Sequence, residues 1–449
     1  MPASCTRARA GSSAWVMKKT SSLPLALDRI GLAATLLLPL FLTHVRIMSE
    51  IMMDVLAVGL LARSACGLGW GWARLPWVRI ALLWWGWQSF CSIPGVGIGG
   101  GNAFGQALLA VRFPLMAAAL QNWTLRDAQP RQWMAALLVG CCLYISLQIL
   151  VQAVFGYNLF GIPRFPDGTL TGPYAHPRAA APLSRLLLPS LMLGCAWAAR
   201  RAGRGSFFAM SGLAIGAVAI MVLAGQRIPM ALTLLGIALC AFLYRPMRPA
   251  AWAAAAALPV LVLLARIFSP GSFRHLVLLA EHQLAHFGQS PYGAIFTRAL
   301  VMARAHPMTG MGYDAFRHGC RDPRFFHGLS WFNSLPDGGG AAVCVQHAHN
   351  HYLQALTNSG LPGLVLFIAM VVAWLAALWP REGAHRAWRI GLFAAIFVHE
   401  WPIASSSDLL NLPLGGWAFL LLGVGLAEAA SVRRPPPSLY ADKPSSKND

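Results

Sequence analysis

Acidic side chains are scarce in this chain, with 15 Asp+Glu against 35 Lys+Arg in 449 residues. Charge of either sign is thin: 11% of residues are charged and 57% are hydrophobic, whereas soluble proteins carry about 25% charged residues. That excludes a soluble globular protein and leaves an integral membrane protein. The long apolar runs lack period-2 alternation, which excludes a spanning barrel and leaves helices. A formal net charge of +20 suits nucleic acid in a soluble protein. Here the arginines sit in loops between apolar runs, so anionic lipid or lipid-linked phosphate is the better partner. There is no repeat of fixed period and no inverted repeat, and paired halves are what a secondary transporter of this size commonly shows.

What is present is an all-α polytopic membrane protein. About twelve spans are expected, at 29–46, 50–68, 76–96, 105–122, 132–154, 180–199, 207–225, 229–244, 250–268, 361–379, 390–404 and 413–430. With the N-terminus inside, Arg63, Arg74, Arg126, Arg131, Arg200, Arg245, Arg386 and Arg433 fall on the cytoplasmic side, as the positive-inside rule requires. The division that follows is a cytoplasmic tail (1–28), nine transmembrane helices (29–268), a periplasmic segment (269–360), three further transmembrane helices (361–430) and a cytoplasmic tail (431–449), polar enough to be disordered.

The segment 269–360 is the only long loop, and short helices are expected in it. One runs over about 292–305 and is stopped by His306-Pro307. A turn at Gly310-Met-Gly312 follows, then an irregular Gly/Pro-rich stretch over 322–340. Of nine cysteines, only Cys320 and Cys344 lie in this loop. In an oxidising compartment they can close a disulfide, worth about 3 kcal/mol in the chain-entropy model. The loop's acids are Glu281, Asp314, Asp322 and Asp337, with no D-x-D or D-D cluster of the kind that holds a divalent cation. Within the spans, Asp54, Arg112 and Glu400 are charged outliers, for which pairing between helices is the ordinary explanation. Glu400 lies toward the outer end of its span, where it could also shape a substrate site.

The densest chemistry is at His347-Ala-His349-Asn350-His351, directly before an apolar run. Asn350 is a good helix cap, Tyr352, Leu353 and Leu356 recur at helical spacing, Gly360 stops the helix and Pro362 prevents its resumption. The result is a short helix at the outer membrane surface, hinged into the next span by Gly360–Gly363. Three readings of the histidines stand side by side. One is a hydrogen-bonded cluster; another is a metal site through His347 and His351 at i,i+4. The third is a general base at the membrane surface.

His349-Asn350, nine residues and Gly360-Leu-Pro-Gly363 form an H-N…G-x-x-G pattern. "ARAHPMTGMGYDAFR" at 303–317 is a helix ending in Pro and Gly-x-Gly, and "LAGQRIPMAL" at 223–232 is an arginine-bearing turn between spans. On these residues the chain resembles the bacterial O-antigen ligase and O-antigen or exopolysaccharide polymerase superfamily of GT-C-like glycosyltransferases, over about residues 200–430. The resemblance implies a multi-pass protein of the bacterial inner membrane with a periplasmic site, no metal and no cofactor. It would move a glycan from undecaprenyl pyrophosphate to an acceptor hydroxyl with inversion. The acceptor would be lipid A–core for a ligase or a growing polysaccharide for a polymerase.

The resemblance also implies roles for residues. His349 would accept the acceptor's proton, Asn350 would fix the helix start, and Gly360 and Gly363 would form the hinge. Without a metal, guanidinium groups must stabilise the leaving pyrophosphate. Arg227, at a short outer loop where topology alone would not place it, is the first candidate, and Arg298 is the second. The family's second arginine falls near Tyr292 in this chain, so Arg317 or Arg274 could stand in for it.

Overall fold

The computed structural model describes residues 22–433 except 202, 333–334, 384, 405–407 and 413, and of residues 22, 280, 282, 284 and 433 the backbone only. The expectations for most of the N-terminal tail and for the C-terminal tail beyond 433 therefore lie outside the described residues. Seventeen α-helices form, and no strand, among the described residues.

The bundle begins with α1 (Ser22–His44), α2 (Arg46–Arg63), α3 (Pro76–Cys91), α4 (Gly100–Leu109), α5 (Arg112–Ala119) and α6 (Ala128–Phe155). It continues with α7 (Ala180–Ala198), α8 (Arg204–Ala224), α9 (Arg227–Leu243) and α10 (Arg248–Phe268). The long loop contributes α11 (Pro270–Phe273), α12 (Leu279–Ala285), α13 (Pro291–Ala305) and α14 (Ala315–Gly319). The chain returns to the bundle through α15 (His351–Leu378), α16 (Arg386–His399) and α17 (Leu414–Arg433).

Nine helical segments among the described residues are long and apolar enough to cross a membrane, which makes this a multi-pass membrane protein. The other three of the twelve expected spans fold as shorter helices: α3 has 16 residues, α9 has 17 and α16 has 14. A spanning helix needs about 20 residues. Position in the bundle explains how a short helix is held. Twelve of the fourteen residues of α16 are buried, against α7, α9, α15 and α17. The opposite case is α10, where only Ala250, Ala254 and Ala265 are buried and the rest of its apolar surface is left for lipid to cover.

The loop carries its own small core. Ile295, Ala299 and Met302 of α13 pack with Met311, Phe316, Cys320, Phe325 and Ala348. Cys320 and Cys344 are bonded, with Cα atoms 5.5 Å apart. The guanidinium of Arg298 lies in this core, fully buried. It donates to the carbonyls of Cys320 (2.5 Å) and Gly340 (2.9 Å) and stacks on Phe326 at 4.4 Å. Among the described residues of 322–340, a helical turn forms at Pro323–Phe325 and another begins at Gly340, and the rest runs as non-helical turns and irregular chain.

This loop is stitched to the bundle where α15 breaks. Ser359 and Gly360 leave helical geometry, Gly360 at φ 65°. A Cβ on Gly360 would meet the carbonyl groups of Met308 and Pro307 at 2.5–2.7 Å, so only glycine fits. The break frees carbonyls that need new donors. Met311 N–H donates to Thr357 O and Gly312 N–H to Asn358 O, both at 2.9 Å, and the Trp87 indole donates to Ser359 O at 2.8 Å. Leu361 N–H returns the bond to Pro307 O at 2.7 Å. The Gly310-x-Gly312 turn and the α15 hinge are thus one joint.

Candidate functional site

The site is built on the first turns of α15. The Asn350 side chain accepts from the N–H groups of Tyr352 (2.9 Å) and Leu353 (3.1 Å), capping the helix as the sequence implied. Its amide donates to Pro402 O at 2.7 Å, which ties the cap to the end of α16. The preceding residue, His349, has φ 53°, a left-handed backbone that a non-glycine residue adopts at a cost of about 1–3 kcal/mol. Surrounding contacts hold it there. Ala348 N–H donates to Gln354 Oε1 (2.9 Å), Gln354 donates on to Asn358 (3.0 Å), and Asn358 also receives Ala315 N–H (3.1 Å). Asn350, Gln354 and Asn358 form a polar rail down one face of the helix. Their i,i+4 spacing carries that signal in the sequence, beside the apolar spacing that marks the helix.

The turn sets the His347 and His349 rings side by side, centroids 4.4 Å apart. His347 precedes the helix, so the expected i,i+4 pairing of His347 with His351 on one helical face does not form. Tyr292, at the start of α13, lies edge-on to His349 at 5.6 Å. This is the position near which the resembled family carries an arginine, and here it contacts the motif histidine. Burial, then the neighbouring His349, Arg317 and His351, lowers His347 to about 4. Burial also holds His349 below the ordinary histidine value. Both rings are held toward the neutral form, which is the form a base requires.

Glu400 forms a second polar group beneath the turn. His351 Nδ1 lies 3.0 Å from Glu400 Oε2, with both side chains almost fully buried. Arg185 Nε donates to His399 Nδ1 at 2.7 Å. A guanidinium can only donate, so the His399 proton sits on Nε2, facing Glu400 Oε1 at 3.5 Å. Among the described residues, His351, His399 and Glu400 are the set whose donor atoms converge within 4.8 Å, close enough for a metal ion. The Arg185 cation beside His399, and the proton it forces onto Nε2, oppose an ion there. The set fits a buried ion-pair network that anchors α7, α15 and α16 to one another. The other charged outliers also pair: Arg112 reaches Asp54 at 3.3 Å and Glu50 at 3.7 Å.

A cavity of about 510 Å³ opens beside His347, walled by α2, the α4–α5 break, the 313–317 turn and the 408–412 segment. Arg317, exposed, lines it and pairs with Asp314 at 3.3 Å. Asp408 and Asp314 face each other across it. Burial and the facing Asp314 raise Asp408 to about 6, and burial raises Asp314 as well. The loop alone offers few acids, yet Glu50, Asp314 and Asp408 converge on this space from three distant parts of the chain.

The candidate arginines separate. Arg317 is on the cavity beside His347. Arg298 stands elsewhere than a phosphate ligand must: its guanidinium is enclosed as a strut between two loop carbonyls and has no open face. Arg227, at the first turn of α9, is half-buried and donates to Leu279 O at 3.1 Å. Arg274 is exposed.

Residues 211–368 match the family model described as O-antigen ligase, a stretch that holds Arg227, Arg298, Arg317, the disulfide, His349, Asn350 and both hinge glycines. The match supports membership of the O-antigen ligase and polymerase superfamily, and with it a glycosyltransferase-like activity on lipid-linked glycans. No curated protein matches the chain.

Proposed function

From the premise of that membership, we propose that the protein is a glycosyltransferase of the O-antigen ligase type, working on the outer face of the bacterial inner membrane. The donor is a glycan on undecaprenyl pyrophosphate and the acceptor is a hydroxyl of lipid A–core. The hydroxyl oxygen attacks the anomeric carbon from the face opposite the leaving group, and the bond from that carbon to the phosphate oxygen breaks. Undecaprenyl pyrophosphate departs with the electron pair, and the hydroxyl proton passes to His349. The observation that carries this reading is the pair of imidazoles, both held toward the neutral form, fixed in a strained turn at the edge of a polar cavity.

Arg227 is the first candidate for the departing pyrophosphate, since its guanidinium has one carbonyl partner and is not fully enclosed. Arg274 is the second, as an exposed cation on the long loop to which Arg227 bonds through Leu279 O. Arg298 is better read as a strut. Because fixed guanidinium charge meets the leaving group, transfer in vesicles of purified protein, donor and lipid A–core should persist in EDTA. Loss of transfer in EDTA, with recovery on adding a divalent cation, would contradict the metal-free scheme.

A polymerase would use the same donor chemistry and differ in its acceptor. Deleting the gene and separating lipopolysaccharide on a gel distinguishes the two. Lipid A–core with no attached repeat supports the ligase, and core bearing a single repeat unit supports the polymerase.

A further inference from the structure

The cavity beside His347 is rich in charge yet nearly neutral in sum. Arg46 is paired with Glu50 at 3.0 Å, Arg112 with Glu50 and Asp54, and Arg317 with Asp314. Asp408 adds a further carboxylate on the wall. Every guanidinium that lines the space is therefore already answered by a carboxylate. A site for pyrophosphate needs unbalanced positive charge, because the several negative charges of the ligand must be met by cations that no carboxylate neutralises. This cavity does not offer that.

A neutral polyol has the opposite requirement. Each sugar hydroxyl both donates and accepts, so its site needs carboxylates and carbonyls interleaved with N–H donors at short range. Asp314 and Asp408 supply acceptors, Arg317 supplies donors, and the side-chain amides of Gln106, Gln346 and Asn411 supply both. The volume, about 510 Å³, falls within the usual range of small-ligand pockets, roughly 300–1,000 Å³. His347 is on the wall and the His349 ring lies tilted beside it, centroids 4.4 Å apart, so a hydroxyl bound here comes up beside the imidazole pair.

We propose that this cavity binds the uncharged, hydroxyl-bearing sugar of the acceptor, recognised through Asp408 and Asn411, and that the lipid pyrophosphate of the donor binds elsewhere. The proposal rests on the glycosyl-transfer reading above and assigns the two substrates to separate places.

The test has a kinetic arm and a binding arm. In proteoliposomes, Asp408→Asn and Asn411→Ala should raise the apparent KM for acceptor by roughly tenfold, the usual size of a lost specific polar contact. The KM for the lipid-linked donor should stay at the wild-type value. A raised donor KM with unchanged acceptor KM overturns the assignment, and so does an unchanged acceptor KM in both variants. In the binding arm, saturation-transfer NMR probes the full-length wild-type protein in nanodiscs with deacylated, dephosphorylated core oligosaccharide or with repeat-unit oligosaccharide. Signal from one of them that survives excess inorganic pyrophosphate and is lost in Asn411→Ala supports the cavity. Displacement by pyrophosphate, wild-type signal in the variant, or no signal from either oligosaccharide overturns it. The wild-type competition needs no variant to fold. If wild-type protein transfers no glycan at all while it still binds oligosaccharide in this way, it is the transfer reading that fails.

Discussion

His349 draws its chemistry from neighbours rather than from its own titration range. Burial lowers its affinity for a proton, and burial with the neighbouring charges lowers the adjacent His347 to about 4. A base must be neutral to act, and His349 stays neutral to a lower pH than a free imidazole, whose value is about 6.5. The acid limb of kcat/KM is therefore expected to have its midpoint below pH 6.5, with no loss of rate between pH 7 and 8; a midpoint above 6.5 in a pH–rate profile would contradict it. The same shift has a stability sign. Between pH 6.5 and about 4 the unfolded chain binds a proton at His347 that the folded chain refuses, so stability falls as pH falls through that window. Arginines separate at this scale too. Arg298→Ala leaves the carbonyls of Cys320 and Gly340 without a donor, so it should lower folding stability by roughly 1–3 kcal/mol. Arg227→Ala should lose transfer with little change in melting temperature, because its guanidinium has a single carbonyl partner. Thermal melts in detergent beside a transfer assay separate the two outcomes. Sequence alone could not make that separation. The acceptors of Arg298 lie 22 and 42 positions away, and a disulfide brings them into place.

At the scale of elements, α13 and the start of α15 were legible because their signals are local: a Pro-stopped helix, an Asn cap, and a glycine placed to end the first segment. The helix before the hinge runs from His351 to the break at Ser359, between the expected Asn350 cap and the expected stop at Gly360. What the sequence could not show is what the hinge docks against. Gly360 sits at φ 65° against the carbonyls of Met308 and Pro307, and the Gly310-x-Gly312 turn takes up the freed carbonyls of Thr357 and Asn358. Gly360→Ala should therefore cost roughly 1–3 kcal/mol from backbone strain, with displacement of the joint added to it. It should also lower activity, since His349 and the hinge are ends of one short helix. A melting temperature equal to wild type would refute this view of the joint. Span count was the less legible quantity. The apolar segments behind α3, α9 and α16 read as spans by composition, but how a helix of 14 to 17 residues is accommodated depends on its neighbours.

At the scale of the molecule, the bundle holds a disulfide-clamped loop over a charge-balanced cavity, with the histidine turn between them. Glu50, Asp314 and Asp408 come from three distant parts of the chain, so their convergence is a property of the fold that no local pattern encodes. The acid scarcity that stood out in the sequence is real for the chain as a whole and does not hold for this one space. The proposed role of His349, rather than the adjacent His347, is to take the proton from the acceptor. Its most direct test is single-turnover transfer by His349→Ala and His347→Ala side by side in proteoliposomes, each checked for wild-type melting behaviour. The transfer step is expected to be at least ~100-fold slower in His349→Ala, the usual contribution of a general base, with a much smaller effect in His347→Ala. Wild-type transfer in His349→Ala, or the larger loss falling on His347→Ala, would contradict it.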